Sequence, residues 1–252
     1  MSIAKTEGII IRCRKFRETS LIVTFYTRDF GLMRAVAKGA RAARSNFRSS
    51  LDLFSYGQLV AYVKDNRDLQ LLSDFDSVRT FGGVQGDVRR FAHAGAAGEL
   101  IEALVSGEEP NPELLDLLLD FLDLVETSPG EAVPALFRAY QIKTCGLLGY
   151  RPELNRCVGC GRADGVMRFS PRMGGVVCPN CAGEAFDASR LSGETLETLR
   201  TLSSRALAEV ASAAPDAARG ERVGPLLDAF LQYHVERYRG LKSLQFLRTL
   251  TA

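Results

Sequence analysis

Residues Ser20 to Lys38 read SLIVTFYTRDFGLMRAVAK. Two runs rich in β-branched and aromatic residues, Ser20–Thr27 and Leu32–Lys38, flank Arg28-Asp29-Phe30-Gly31, which has turn composition. That is a pair of strands and the turn joining them. Working outward, Glu7–Arg12 (EGIIIR), Gln58–Lys64 (QLVAYVK) and Leu69–Ser73 read as three more strands, with Asp65-Asn66-Arg67-Asp68 as a further turn. Five short strands at this spacing suit a small closed barrel. An OB-type barrel is one solution and an SH3-like barrel the other.

Beyond the barrel the periodicity turns helical. Asn111-Pro112-Glu113 reads as an N-cap, a Pro at the first helical position and an early acid, followed by LLDLLLDFLDLVE. Asp116, Asp120 and Asp123 share one face of that segment, so an acidic stripe faces water and a wide apolar arc is buried. Residues 87–106, 131–148, 193–210, 223–239 and 241–250 also read as helices, and 213–220 (AAPDAARG) as a loop.

The 252 residues suit one large or two small domains, and 46% hydrophobic with 25% charged composition is ordinary for a globular chain. No apolar run approaches the length of a membrane span, and the N-terminus lacks the apolar core of a secretory signal. A net charge of +2 hides an asymmetry. Residues 1–80 carry 14 Lys+Arg against 8 Asp+Glu, residues 81–150 carry 4 against 11, and residues 151–252 carry 14 against 11. A basic head next to an acidic middle points to a polyanion for the head and a protein partner for the middle.

Ten cations lie between Arg12 and Arg48, interrupted only by Glu18 and Asp29. The candidate nucleic-acid-binding residues are Arg12, Arg14, Lys15, Arg34, Lys38, Arg41, Arg44 and Arg48. Cations on a strand and the loop after it can track a phosphate backbone. Phe16, Phe25, Tyr26, Phe47, Phe54 and Tyr56 could stack on bases, but a barrel interior needs aromatics, and core is the favoured role.

Four of the six cysteines form Cys157-x₂-Cys160 and Cys178-x₂-Cys181, seventeen residues apart. That spacing is a zinc-ribbon pattern. Four thiolates close the tetrahedron around Zn²⁺ and leave no place for water or substrate, so the metal is structural. Cys13 and Cys145 read as small core residues. There is no Gly-Lys-Ser/Thr phosphate loop, no G-x-G-x-x-G after a strand and no Gly-x-Ser-x-Gly elbow. His93 and His234 have no partner motif and read as packed or surface residues. The chain reads as a binding protein, not an enzyme.

Together these segments resemble the RecO family of bacterial DNA repair and recombination mediators over essentially the full length. The resemblance is carried by Thr6–Ile11, by Gly31–Arg41, by Leu51–Phe54 and by Leu147–Pro152 leading into Cys157–Gly161. It implies an α+β multidomain chain: an N-terminal five-stranded OB-type β-barrel (1–80), an α-helical domain (81–150 and 189–252) and an inserted four-cysteine zinc-binding module (151–188). It implies a cytoplasmic, nucleoid-associated protein that binds single- and double-stranded DNA and anneals complementary strands. Such a protein works with RecR to help load RecA on DNA coated by single-strand-binding protein. Arg34, Lys38, Arg41 and Arg44 fall on the family's basic barrel segment, and the four cysteines match the zinc ligands of the members that have them. The family's contact with the acidic, apolar C-terminal tail of single-strand-binding protein is placed in the helical domain, with no residues here matched to it; Arg138 and Lys143 are candidates only as two of the four cations in residues 81–150. Two alternatives stand beside this reading. One is an RNA-binding barrel and zinc-ribbon protein, the other a protein–protein adaptor without nucleic-acid activity.

Overall fold

The computed structural model describes every residue except 1, 44, 46, 48–50, 65–66, 106–108, 214–216 and 252; side chains are also not described for 217–219, 221 and 251. It divides into two compact units, Met1–Asp87 with Val105–Leu119, and Val88–Leu104 with Asp120–Ala252.

The first unit holds five strands: β1 (Ser2–Phe16), β2 (Ser20–Thr27), β3 (Gly31–Ala37), β4 (Tyr56–Val63) and β5 (Gln70–Arg79). They close in the order β1-β2-β3-β5-β4, with β3 and β5 parallel and every other pair antiparallel. This is the OB arrangement and not an SH3-like one. β1 is longer than Glu7–Arg12 because it pairs twice: Ser2–Ile9 with β4, and Gly8–Phe16 with β2. A bulge between Ile10 and Arg12 bends the strand between these duties. β5 likewise runs past Ser73 to Arg79, held by β4.

Alternating residues fill the barrel. Ile10, Val23, Phe25, Met33, Ala35, Ala37, Leu59, Ala61, Leu72 and Phe75 form one core, joined by Phe47 and Leu51. Two glycines mark close approaches. A Cβ on Gly57 would lie 2.0 Å from the Asp76 carbonyl oxygen, and one on Gly8 would lie 3.0 Å from the Tyr26 carbonyl oxygen. A short helix, α1 (Gly82–Gln85), follows the barrel.

The remaining helices are α2 (Val88–Leu104), α3 (Pro112–Thr127), α4 (Val133–Leu147, after a 3₁₀ turn at Gly130–Ala132), α5 (Gly193–Ser204), α6 (Leu207–Ser212), α7 (Ala217–His234) and α8 (Lys242–Thr251). Asn111 does cap α3, its Oδ1 accepting from the Leu114 N–H at 3.0 Å. The single helix expected over 193–210 is two, because Arg205 and Ala206 are extended. Glu209 restarts the helix by accepting from the Ala206 N–H at 2.9 Å. The loop expected over 213–220 is shorter, since α7 begins at Ala217, and α7 ends at His234, earlier than Arg239.

Between α4 and α5 lies a small sheet, β7-β6-β8, built from β6 (Arg168–Ser170), β7 (Gly175–Val177) and β8 (Ser189–Arg190). Gly174, with φ of 81°, reverses the hairpin between β6 and β7. The His234 Nε2–H donates to the Pro171 carbonyl at 2.7 Å and fixes that hairpin to the end of α7. No helix among the described residues is long and apolar enough to cross a membrane.

Candidate nucleic-acid face and metal centre

Strand register decides which cations stand together. Arg12 is opposite Thr24, and Thr24 is opposite Arg34. Opposed residues project from the same side of a sheet, so the three form one row across β1, β2 and β3. The next row on that side is Arg14–Ile22–Val36. The row between them, Cys13–Val23–Ala35, points into the barrel. Arg12, Arg14 and Arg34 therefore share one outer face, floored by Thr24, Ile22 and Val36. At the other end of this face, Tyr26 is fully buried and its hydroxyl donates to the Asn111 carbonyl. Burial pushes the Tyr26 phenol up to about 12.

The other cations flank this face. Lys15 is exposed at the end of β1 and leaves the strand on the side away from Arg14. Lys38 is exposed just past β3. Arg41 is exposed as well; its backbone N–H donates to the Thr19 carbonyl at 2.9 Å and its guanidinium to the Glu18 carbonyl at 3.2 Å. These bonds tie the segment after β3 to the β1–β2 turn. Arg44 and Arg48 lie outside the described residues. Arg28, also in the basic run, is already engaged: its guanidinium is 2.6 Å from Asp116 and 3.5 Å from Glu7. The hydrogen bond to Asp116 raises its pKa further. Asp116 is thus a partner for the barrel's β2–β3 turn; of the expected acidic stripe, Asp116 and Asp120 are exposed but Asp123 is half-buried.

The barrel's rings are mostly core. Phe25 packs 5.4 Å from Phe75, and Tyr26, Phe47 and Phe54 are buried. Tyr56 donates to Glu7 at 2.7 Å, and half-buried Phe16 carries the Arg17 guanidinium 5.3 Å from its centroid.

The four cysteines converge in the second unit. Their sulfurs all lie within 4.8 Å of one another. A tetrahedron of thiolates on Zn²⁺ needs sulfurs about 3.8 Å apart, from Zn–S bonds of about 2.3 Å. Cys160 Sγ and Cys178 Sγ are 3.7 Å apart. The donor set and its size fit a zinc ion. Each pair sits on a tight turn: the Gly161 N–H donates to the Cys157 carbonyl at 2.8 Å, and the Ala182 N–H to the Cys178 carbonyl at 2.9 Å. The Cys178 N–H donates to Cys157 Sγ at 3.3 Å. Burial disfavours the Cys157 thiolate, but the N–H groups of Cys178, Cys160 and Gly159 outweigh it and bring the thiol down to about 6. Gly159 is there for space, since a Cβ on it would meet Cys181 Sγ at 3.0 Å. Cys13 and Cys145 are instead pushed up to about 12 by burial and remain packed thiols.

One feature of the helical unit had no sequence signal. A groove of about 630 Å³ is lined by Arg89 and His93 of α2, Arg138 of α4, and Leu244, Leu247 and Arg248 of α8. Arg138 is not a surface cation. It is buried on the groove floor, donates to Gln141 Oε1 at 2.7 Å, and has its pKa lowered by that burial. Gly224 makes room for it, because a Cβ there would lie 2.5 Å from its guanidinium. Lys143 is half-buried and does not line the groove.

A closed OB-type barrel with an arginine face, followed by a helical unit carrying a four-thiol cluster, defines the class of protein. Two family models cover nearly all of it: Recombination protein O N terminal over residues 1–81, and Recombination protein O C terminal over residues 85–245. The chain is 35% identical over 254 residues to the DNA repair protein RecO of Symbiobacterium thermophilum, covering 99% of this chain and 98% of that one. It is 35% identical over 237 residues to the DNA repair protein RecO of Anaeromyxobacter sp. strain Fw109-5, covering 92% and 91%. The chain belongs to the RecO family.

Proposed function

We propose that this chain is a non-enzymatic recombination mediator in DNA repair, acting in the cytoplasm at the nucleoid. It binds single- and double-stranded DNA, anneals complementary strands, and works with RecR to load RecA on DNA coated by single-strand-binding protein. The observation that carries this reading is the row Arg12–Thr24–Arg34, with Arg14 beside it, on the outer face of an OB-type barrel. OB barrels bind oligonucleotides through the face of their second and third strands and the adjoining turns. Here Arg34 stands on β3, Lys38 is just past its end, and Arg41 is tied to the β1–β2 turn. Such a face lowers the repulsion between two like-charged strands by displacing their counterions. No bond is made or broken by the protein.

The division of labour we propose follows four segments: 1–80 for DNA, 81–150 and 189–252 for protein partners, and 151–188 as a zinc-stapled module. Cys157, Cys160, Cys178 and Cys181 would hold structural Zn²⁺, which would supply cross-linking to a lobe with little core of its own. The groove over Arg138 suits the acidic, apolar tail of single-strand-binding protein. Leu244 and Leu247 line it with apolar surface, and Arg89, Arg138 and Arg248 line it with positive charge against the single acid Glu131.

A strand-annealing assay with complementary oligonucleotides tests the reading. The wild-type chain should accelerate annealing, and Arg34→Glu/Lys38→Glu should slow it. Absence of both annealing and DNA affinity at low salt overturns it in favour of a protein adaptor. Preference for structured RNA over DNA overturns it in favour of an RNA-binding module.

A further inference from the structure

The barrel's aromatic rings are largely buried, so it offers little for an unpaired base to stack on. The cysteine module offers such a ring. Phe186 is 83% exposed, the most exposed large apolar side chain among the described residues. It is not on a loose tip. Ala185 beside it is buried, and the Ala188 N–H donates to the Ala185 carbonyl at 2.8 Å. The Arg172 guanidinium lies 4.8 Å from the centroid of the Phe186 ring. Arg172 is itself held at both ends. Its backbone N–H donates to Asp187 Oδ2 at 2.7 Å, and its guanidinium to the Glu184 carbonyl at 3.1 Å. A cation thus covers one side of a fixed ring, and the rest of the ring faces solvent.

A second feature lies along the same two chain segments. In the β6–β8 pair Arg168 is directly opposite Arg190, with Phe169 opposite Ser189 beside it. Like charges directly opposed on neighbouring strands repel. Among the described residues neither guanidinium has an acidic partner, so an anion between them would relieve the repulsion. Arg190 is four residues from Phe186, a reach of at most about 14 Å along the chain. An opposed arginine pair within that reach of a bare ring offers a phosphate contact and a base contact to the same strand. Base stacking on rings beside a cationic track is how single strands are held without sequence preference.

We propose that the cysteine module carries a second DNA site, specific for single strands: Phe186, backed by Arg172, stacks an unpaired base, and Arg168 with Arg190 takes a neighbouring phosphate. It rests on the reading that this chain binds single-stranded DNA, but uses none of the barrel residues.

The test measures binding of the full zinc-loaded chain to labelled oligothymidine and to a duplex, by fluorescence anisotropy across a salt series. Phe186→Ala should weaken oligothymidine binding at least about 5-fold, leave its salt slope unchanged and spare the duplex. Phe186→Tyr should restore binding. Arg168→Gln/Arg190→Gln should flatten the single-strand slope by about 0.7, for the one phosphate the pair releases. On the unmodified chain, oligonucleotides carrying 5-iododeoxyuridine should photocrosslink within residues 182–190. Wild-type affinity in these variants, with crosslinks confined to the barrel, overturns the second site and leaves the barrel reading intact. Failure of the wild-type chain to bind oligothymidine at all overturns both.

Discussion

Neutralising the arginine row is the sharpest test of the barrel face. In Arg12→Gln/Arg14→Gln/Arg34→Gln the three changed side chains all point outward, so the core from Ile10 to Phe75 is untouched. If each arginine releases one phosphate's counterions, the slope of log K against log salt for a single strand should flatten by about 2. Extrapolated from molar salt, where the term vanishes, this is a loss of about 100-fold in affinity at about 0.1 M salt. Anisotropy titrations of labelled oligothymidine at four or five salt concentrations read both quantities. Arg28→Gln is the built-in control. It removes the same charge, but from a guanidinium already 2.6 Å from Asp116, so the slope should change little. Its cost should appear in thermal stability instead, at about 0.2–1 kcal/mol for a partly exposed pair. A slope unchanged in the triple variant, or flattened equally by Arg28→Gln alone, refutes the assignment of this face to DNA.

Other consequences can be checked separately. Cys160→Ser should lower zinc, read by atomic absorption, from one ion per chain to near none and open residues 157–190 to proteolysis; a folded, protease-resistant variant without metal contradicts the structural role. Gly57→Ala should cost about 3 kcal/mol in chemical denaturation, because its Cβ would fall 2.0 Å from the Asp76 oxygen; wild-type stability would mean that the β4–β5 register differs. Arg89→Glu/Arg248→Glu should weaken binding of a synthetic acidic, apolar tail peptide at least about 10-fold, or about 1.4 kcal/mol, without altering oligothymidine binding; unchanged peptide affinity by calorimetry removes the tail from the groove.

Much of the barrel was legible because its inward residues alternate, as in Val23-x-Phe25 and Met33-x-Ala35-x-Ala37. The cysteine cluster was legible because two Cys-x₂-Cys spacings are a metal-ligand pattern, and the four sulfurs do converge. What the sequence hid was registration. The alignment of Arg12 with Arg34 passes through Thr24 and depends on a bulge at Ile10/Arg12, and no linear pattern announces either. The pairing of Arg28 with Asp116 spans 88 residues, so both looked like free surface charges. The groove over Arg138 draws on helices from across the helical unit, and one of its cations is buried on the floor. Phe186 stands in an Ala- and Gly-rich stretch with no periodicity to mark it. The break at Arg205–Ala206 escaped because helical spacing continues across it, while a local side-chain bond from Glu209 restarts the register.

The arginine row also bears on time. Two aligned cations around a threonine, with Arg14 in the next row, make a sparse face, and sequence-independent phosphate binding has dissociation constants of about 10⁻⁴–10⁻⁶ M. With steered encounter at about 10⁸ M⁻¹s⁻¹, a strand would stay for only about 0.1–10 ms. On the proposed annealing role, such brief residence would let one strand sample many registers against another before pairing. A denser cationic face would hold DNA longer and slow that search. On this view the threonine between the arginines sets a clock as much as a distance.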